Sequence, residues 1–133
     1  MTTLLYDRDC GFCRWCVAKV LAWDSGRNVR PLALQDPEAE RLLAGMPGEA
    51  RMASWHLVDE DGRVSSAGRG LAPLLRELPG GRPLADVAER IPGPLDHAYR
   101  FVADRRGTLG PLLSEGAKRR ADRRIAARGA GGR

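Results

Sequence analysis

The chain has 133 residues, room for one ordinary domain. Its formal charge of +5, from 22 basic and 17 acidic residues, is concentrated: from Ala117 onward seven basic residues face one acid, a net +6, which leaves residues 1–116 at −1. That distribution predicts no basic groove for a polyanion on the main domain, and no apolar run approaches the roughly 20 residues of a membrane-spanning helix.

Thr2 to Tyr6 is an apolar and β-branched run that ends at Asp7-Arg8-Asp9, the pattern of a strand entering a loop. Phe12, Trp15, Cys16, Lys19, Val20 and Trp23 recur at three and four, a helical stripe that ends near Ser25-Gly26. Asn28 to Leu34 reads as a second strand, and Pro31 marks it as an edge or an irregular start. Asp36-Pro37 starts a helix that runs through Glu38 to Leu43 and stops at Gly45. Ser54 to Val58 is a strand, Asp59 to Gly62 a turn and Arg63 to Ser66 the returning strand of a hairpin. Helices follow over Gly68 to Leu78, Pro83 to Ile91 and Leu95 to Arg106.

The order β-α-β-α-β-β-α predicts a small mixed sheet, its first two strands parallel and its hairpin antiparallel, with helices on both faces. Residues 1–116 are expected to form the domain. Residues 117–133 carry one large apolar side chain, Ile125, and are expected to be a basic tail, either disordered or a frayed helix.

Chemistry is concentrated where the first strand meets the first helix. All three cysteines lie within seven residues, in Cys10-Gly11-Phe12-Cys13-Arg14-Trp15-Cys16. The N-terminus, Met1 to Asp7, has no basic stretch and is not read as a secretory signal, so a cytoplasmic, reducing location is expected. In that setting C-x-x-C beside a βαβ pattern reads as a redox pair. With Asp9 as N-cap, Cys10 sits at the helix mouth, where unpaired N–H groups and the dipole favour a thiolate. Cys13, one turn further in, is placed to resolve a mixed disulfide on Cys10.

Asp7 has two readings, a buried acid assisting proton transfer from Cys13 or a loop carboxylate capping the helix. Tyr6, Phe12 and Trp15 are three of seven aromatic residues. They are either core or the wall of a docking surface, and Phe12 and Trp15 are the candidates for substrate contact. No glycine-rich phosphate loop is present, so no bound organic cofactor is expected.

Asp7-x-x-Cys10-x-x-Cys13 after an apolar strand resembles the DCC family of thiol-disulfide oxidoreductase-like proteins, named for that signature. The likeness extends over about residues 3–113, through Pro31 to Ala39, the hairpin at Asp61 to Val64, Gly70 to Leu75 and Tyr99 to Arg106. It implies a thioredoxin-like α/β three-layer sandwich with extra C-terminal helices, and Cys10 and Cys13 as the redox pair. Two departures stand out. Arg8 occupies a position where glycine is expected, which puts a cation two residues from Cys10. Arg51 to Trp55 contains no proline, whereas thioredoxins carry a cis-proline just before the third strand, facing the C-x-x-C.

Two other classes remain open. A zinc or iron–sulfur site would use Cys10, Cys13 and Cys16, but a four-iron run needs a fourth cysteine at position 20, which is Val20, and zinc would need His56 or His97. On an ideal helix Cys10 and Cys16 point about 120° apart, and Cys16 reads as a buried small residue. His56 is a further candidate beside the cysteine pair. The basic tail alternatively makes the chain a binding module for nucleic acid or an acidic membrane. It lacks stacking aromatics, however, so stable nucleic-acid binding is not expected and a protein or low-molecular-weight thiol or disulfide partner is.

Overall fold

A computed structural model describes the backbone from Met1 to Gly131 and side chains as far as Arg128. Gly132 and Arg133, the end of the expected tail, lie outside the described residues. Strand β1 (Thr2–Tyr6) is buried along its whole length because it is flanked in the sheet and covered on both faces. It runs parallel to β2 (Val29–Ala33) and antiparallel to β3 (His56–Val58), and β3 pairs antiparallel with β4 (Val64–Ser66), giving the order β2-β1-β3-β4. Pro31 has no N–H to donate and is tolerated because β2 is an edge strand.

The alternation of side chains along β1 divides the core. Leu4 and Tyr6, with Val29 and Leu57, meet Val17 and Leu21 of α1 (Gly11–Trp23) and Leu74 and Leu78 from α4 (Leu71–Glu77) and its C-cap. Leu5, with Leu32 and Val58, meets Ala39 and Leu43 from α2 (Pro37–Leu42) and its C-cap. Burying a side chain such as Leu5 or Leu21 contributes about 1.5–3 kcal/mol. The result is the expected thioredoxin-like three-layer α/β sandwich.

Several elements depart from the sequence reading. A helix over α3 (Gly48–Ala53) was not expected: it buries no residue and has no side-chain cap, so it carries no amphipathic stripe. The helix expected over Gly68 to Leu78 is a 3-10 turn (Ala67–Gly70) leading into α4. Beyond it, α5 (Arg82–Arg90) packs small alanines against α4, and α6 (Pro92–Asp104) starts earlier than expected, with prolines in its first turn. A short helix, α7 (Arg106–Leu109), follows at once.

The largest correction concerns the tail. Residues Glu115–Gly131 form a helix, α8, laid along α1. Ala121 is buried, Ile125 packs on the first core, and Asp122 pairs with Arg14 of α1 at 2.9 Å, in a geometry too bent for a hydrogen bond. At the far end Arg128 reaches Asp24, the fully buried C-cap of α1, at 2.6 Å. Its guanidinium also donates to the carbonyls of Leu21 and Asp24, each at 3.0 Å, and of Val29 at 3.1 Å. Asp24 in turn accepts from the N–H groups of Asn28 and Val29. One ion pair thus ties the end of α1, the start of β2 and α8 together. Hydropathy registers little of this attachment, because apart from Ile125 it is made by alanines and charges.

Candidate active site

β1 delivers the chain to Asp7, and a turn closed by the Cys10 N–H donating to the Asp7 carbonyl leads into α1. The helix N-cap is Cys10 itself, not Asp9 as the sequence suggested. Its backbone is extended, and its Sγ accepts the N–H of Cys13 at 3.3 Å. Sulfur therefore takes the place an oxygen cap would occupy, and a hydrogen bond of this kind stabilises a thiolate. Asp9 instead donates its N–H to Asp7 Oδ1 at 2.9 Å.

Cys13 lies one turn in and faces a different environment. Burial, the hydrogen bond with Cys10, the Cys10 charge and, least of these, the negative charge of Asp7 raise its thiol to about 12, against the lowering influence of Arg106. Cys16, a further turn along, is raised to about 11, again chiefly by burial. Cys16, expected as a buried small residue, is half-buried, and with Cys13 it lines a pocket of about 280 Å³ between α1, the sheet and α6. Phe12 stands at the same wall.

Facing Cys13 across this pocket are Ser54 and Trp55, the segment just before β3, together with Tyr99 and Arg106. Among the described residues no peptide bond is cis. Burial raises the Tyr99 phenol, which faces the Trp55 backbone and the Ser54 hydroxyl. Trp55 is seated by Gly70, where an added methyl group would come within 2.8 Å of its ring. Gly70→Ala is expected to cost about 1–3 kcal/mol in thermal unfolding and to shift Trp55 fluorescence, because the indole has to move.

Asp7 also lines the pocket. Its Oδ1 is held by Gln35 Nε2 at 2.8 Å and by the Asp9 N–H, while among the described residues its Oδ2 has no hydrogen-bond partner in the protein. Gln35 Oε1 accepts from the Arg8 N–H, and the exposed Arg8 offers its carbonyl to Arg14.

The other candidates separate from the pocket. Trp15 stacks on Phe12 with ring centroids 6.1 Å apart but turns toward the α1–α8 seam, with Lys19 over its ring. His56 pairs with Leu5, on the sheet face opposite α1, and bonds Ser66 Oγ at 2.6 Å and the Arg51 carbonyl at 2.8 Å. It is a structural group removed from the thiols, which corrects its candidacy beside the cysteine pair. His97 is exposed on α6. Among the described residues no three His, Cys, Asp or Glu side chains converge on a point where a metal ion would be held. Sequence reasoning missed Ser54, Tyr99 and Arg106, although Tyr99, Val102, Ala103 and Arg106 recur at three and four and share the face that lines the pocket.

A thioredoxin-like sheet with a C-x-x-C at the mouth of its first helix defines a protein of the thiol-redox class. The chain belongs to the DCC1-like thiol-disulfide oxidoreductase family, whose family model matches residues 4–111. No curated protein and no solved structure matches the chain. Among the described residues no helix is long and apolar enough to cross a membrane.

Proposed function

We propose that the protein exchanges a Cys10–Cys13 dithiol for a disulfide with a protein or low-molecular-weight partner. The observation that supports this most is the unequal setting of the two sulfurs. Cys10 caps the helix and accepts an N–H bond, while the Cys13 thiol is pushed up to about 12 behind it.

In the reducing direction the Cys10 thiolate attacks a partner disulfide, forming a mixed disulfide and releasing one partner thiolate, which takes up a proton. Cys13 then gives up its proton and attacks the Cys10 sulfur. The Cys10–Cys13 bond forms, the second partner sulfur leaves as thiolate, and the partner has gained two electrons. Oδ2 of Asp7 is the proton acceptor for Cys13. An apolar group on the partner is held in the pocket between Phe12 and Trp55. No bound organic cofactor enters these steps.

Peptide mapping after mild oxidation is expected to find Cys10 joined to Cys13, with iodoacetamide modifying Cys10 faster than Cys13 or Cys16 in the reduced protein. An equilibrium titration against glutathione then gives the potential and the direction of electron flow. A bond between Cys13 and Cys16, or equal alkylation of all three thiols, would overturn these assignments.

A further inference from the structure

The stripe of α1 that faces away from the pocket, with the adjoining face of α8, forms a second concavity of about 490 Å³. Its floor is made of alanines. Ala18 and Ala121 are buried between the two helices, and Ala22 is exposed beside them. Its rim carries Lys19, Arg120, Arg123 and Arg124, and no acid lines it. Among the described residues none of these four cations has a carboxylate within ion-pair distance; the acids of α8 are spent elsewhere, Asp122 on Arg14 and Glu115 on Lys118.

We propose that this groove docks an acidic amphipathic segment of a partner protein, its carboxylates meeting the four cations and its apolar side chains lying on the alanine floor. Charge complementarity sets the sign of the occupant. The floor sets its kind, because a phosphodiester strand offers no apolar face to match it. Stacking of bases is also unavailable, since Phe12 lies against the Trp15 ring and Lys19 lies over it. A membrane would demand large exposed apolar side chains along α8, whereas Ile125 is turned into the core.

One end of the groove lies near the dithiol: Lys118, next to the lining residue Ala117, packs 3.3 Å from where a side chain on Gly11 would begin, one residue from Cys10. A partner held there presents its sulfur to Cys10. That placement rests on the thiol–disulfide reading, whereas the binding itself does not.

The test is therefore made on the full chain carrying Cys10→Ser and Cys13→Ser. Fluorescence anisotropy measures binding of a synthetic helical peptide with a leucine stripe flanked by glutamates. A lysine-flanked counterpart, a short DNA duplex and phosphatidylglycerol-containing vesicles serve as competitors. The glutamate peptide is expected to bind, to weaken with rising salt, and to lose at least about tenfold in affinity in Arg120→Glu/Arg124→Glu.

Ala22→Arg separates a groove from mere charge. It adds a cation and so would tighten a purely electrostatic contact, but it fills the floor and is expected to weaken peptide binding about tenfold or more. Circular dichroism confirms that these surface variants fold. Absence of peptide binding, tighter binding in Ala22→Arg, or stronger binding of DNA or vesicles than of the peptide would each overturn the proposal.

Discussion

Replacing Arg128 by alanine is expected to destabilise the protein by about 3–5 kcal/mol, read as a lower midpoint in urea and a Tm lowered by more than about 10 °C. The magnitude follows from what is left behind. Asp24 is fully buried, and the guanidinium is its counter-ion at 2.6 Å as well as the donor to three backbone carbonyls. Removing it leaves the buried Asp24 carboxylate without its counter-ion, held among the described residues only by the Asn28 and Val29 N–H groups, and takes a donor from the Leu21 and Val29 carbonyls, whereas the Asp24 carbonyl keeps the Arg27 N–H. Against a total stability of about 5–15 kcal/mol, one side chain near the C-terminus then decides whether the domain stays folded at elevated temperature.

Arg128→Lys keeps the charge but loses the fork that reaches several carbonyls at once, so it should fall between the two. A chain ending at Gly116 loses Ala121, Ile125 and Arg128 together and is expected to be less stable than the point variant. If Arg128→Ala unfolds within about 1 kcal/mol of the parent, α8 is not part of the folding unit and the reading of residues 117–133 as a frayed tail is restored.

That tail marks the limit of what the sequence made legible. The strands were readable because β1, β2 and β3 are apolar runs bounded by turn residues, and the edge position of β2 was announced by Pro31. The sandwich followed from element order alone. The attachment of α8 had no such signature: Asp24 and Arg128 are 104 residues apart, and neither carries a local pattern that names the other. Composition reads Lys118 to Arg128 as solvated. The geometry instead distributes those residues, with Arg128 turned inward and Asp122 set against α1.

The site divides in the same way. The placement of Cys10 and Cys13 at the helix mouth was legible because a C-x-x-C after a strand falls on the first turn of the following helix. The identity of the cap was not, since a cysteine and an aspartate in adjacent positions can both serve, and only the backbone at Cys10 decides between them. The opposing wall of the pocket is assembled from Ser54, Trp55, Tyr99 and Arg106, which come from segments far apart in the chain. His56 was placed near the thiols by strand adjacency, and the alternation of side chains along β3 puts it on the other face.

The largest kinetic effects are expected at Cys10, Cys13 and Asp7. Cys10→Ser abolishes exchange, while Cys13→Ser still attacks but cannot resolve, and accumulates a mixed disulfide visible by mass spectrometry. Asp7→Asn is more informative, because two roles for the carboxylate predict opposite signs. The negative charge of Asp7 helps to raise the Cys13 thiol to about 12. If charge were its whole effect, the amide would make Cys13 more acidic and speed resolution at neutral pH.

If Oδ2 instead receives the Cys13 proton, the amide removes the acceptor. In the mixed disulfide Cys10 no longer carries charge, but burial, the largest cause, still holds the Cys13 thiol above its ordinary range, so little of it is ionised at pH 7 and resolution without an acceptor is slow. The expected result is a decrease of about 10²–10⁴-fold in the resolving step, with a rate that climbs roughly tenfold per pH unit as hydroxide takes over. Arg106→Met should slow the same step more mildly, since the guanidinium lowers the Cys13 thiol and its loss lets it rise further. Stopped-flow measurement of the second step, from a preformed mixed disulfide on Cys10, separates the two roles. Faster resolution in Asp7→Asn at pH 7 would leave Asp7 as a structural carboxylate held by Gln35 and assign the proton to solvent.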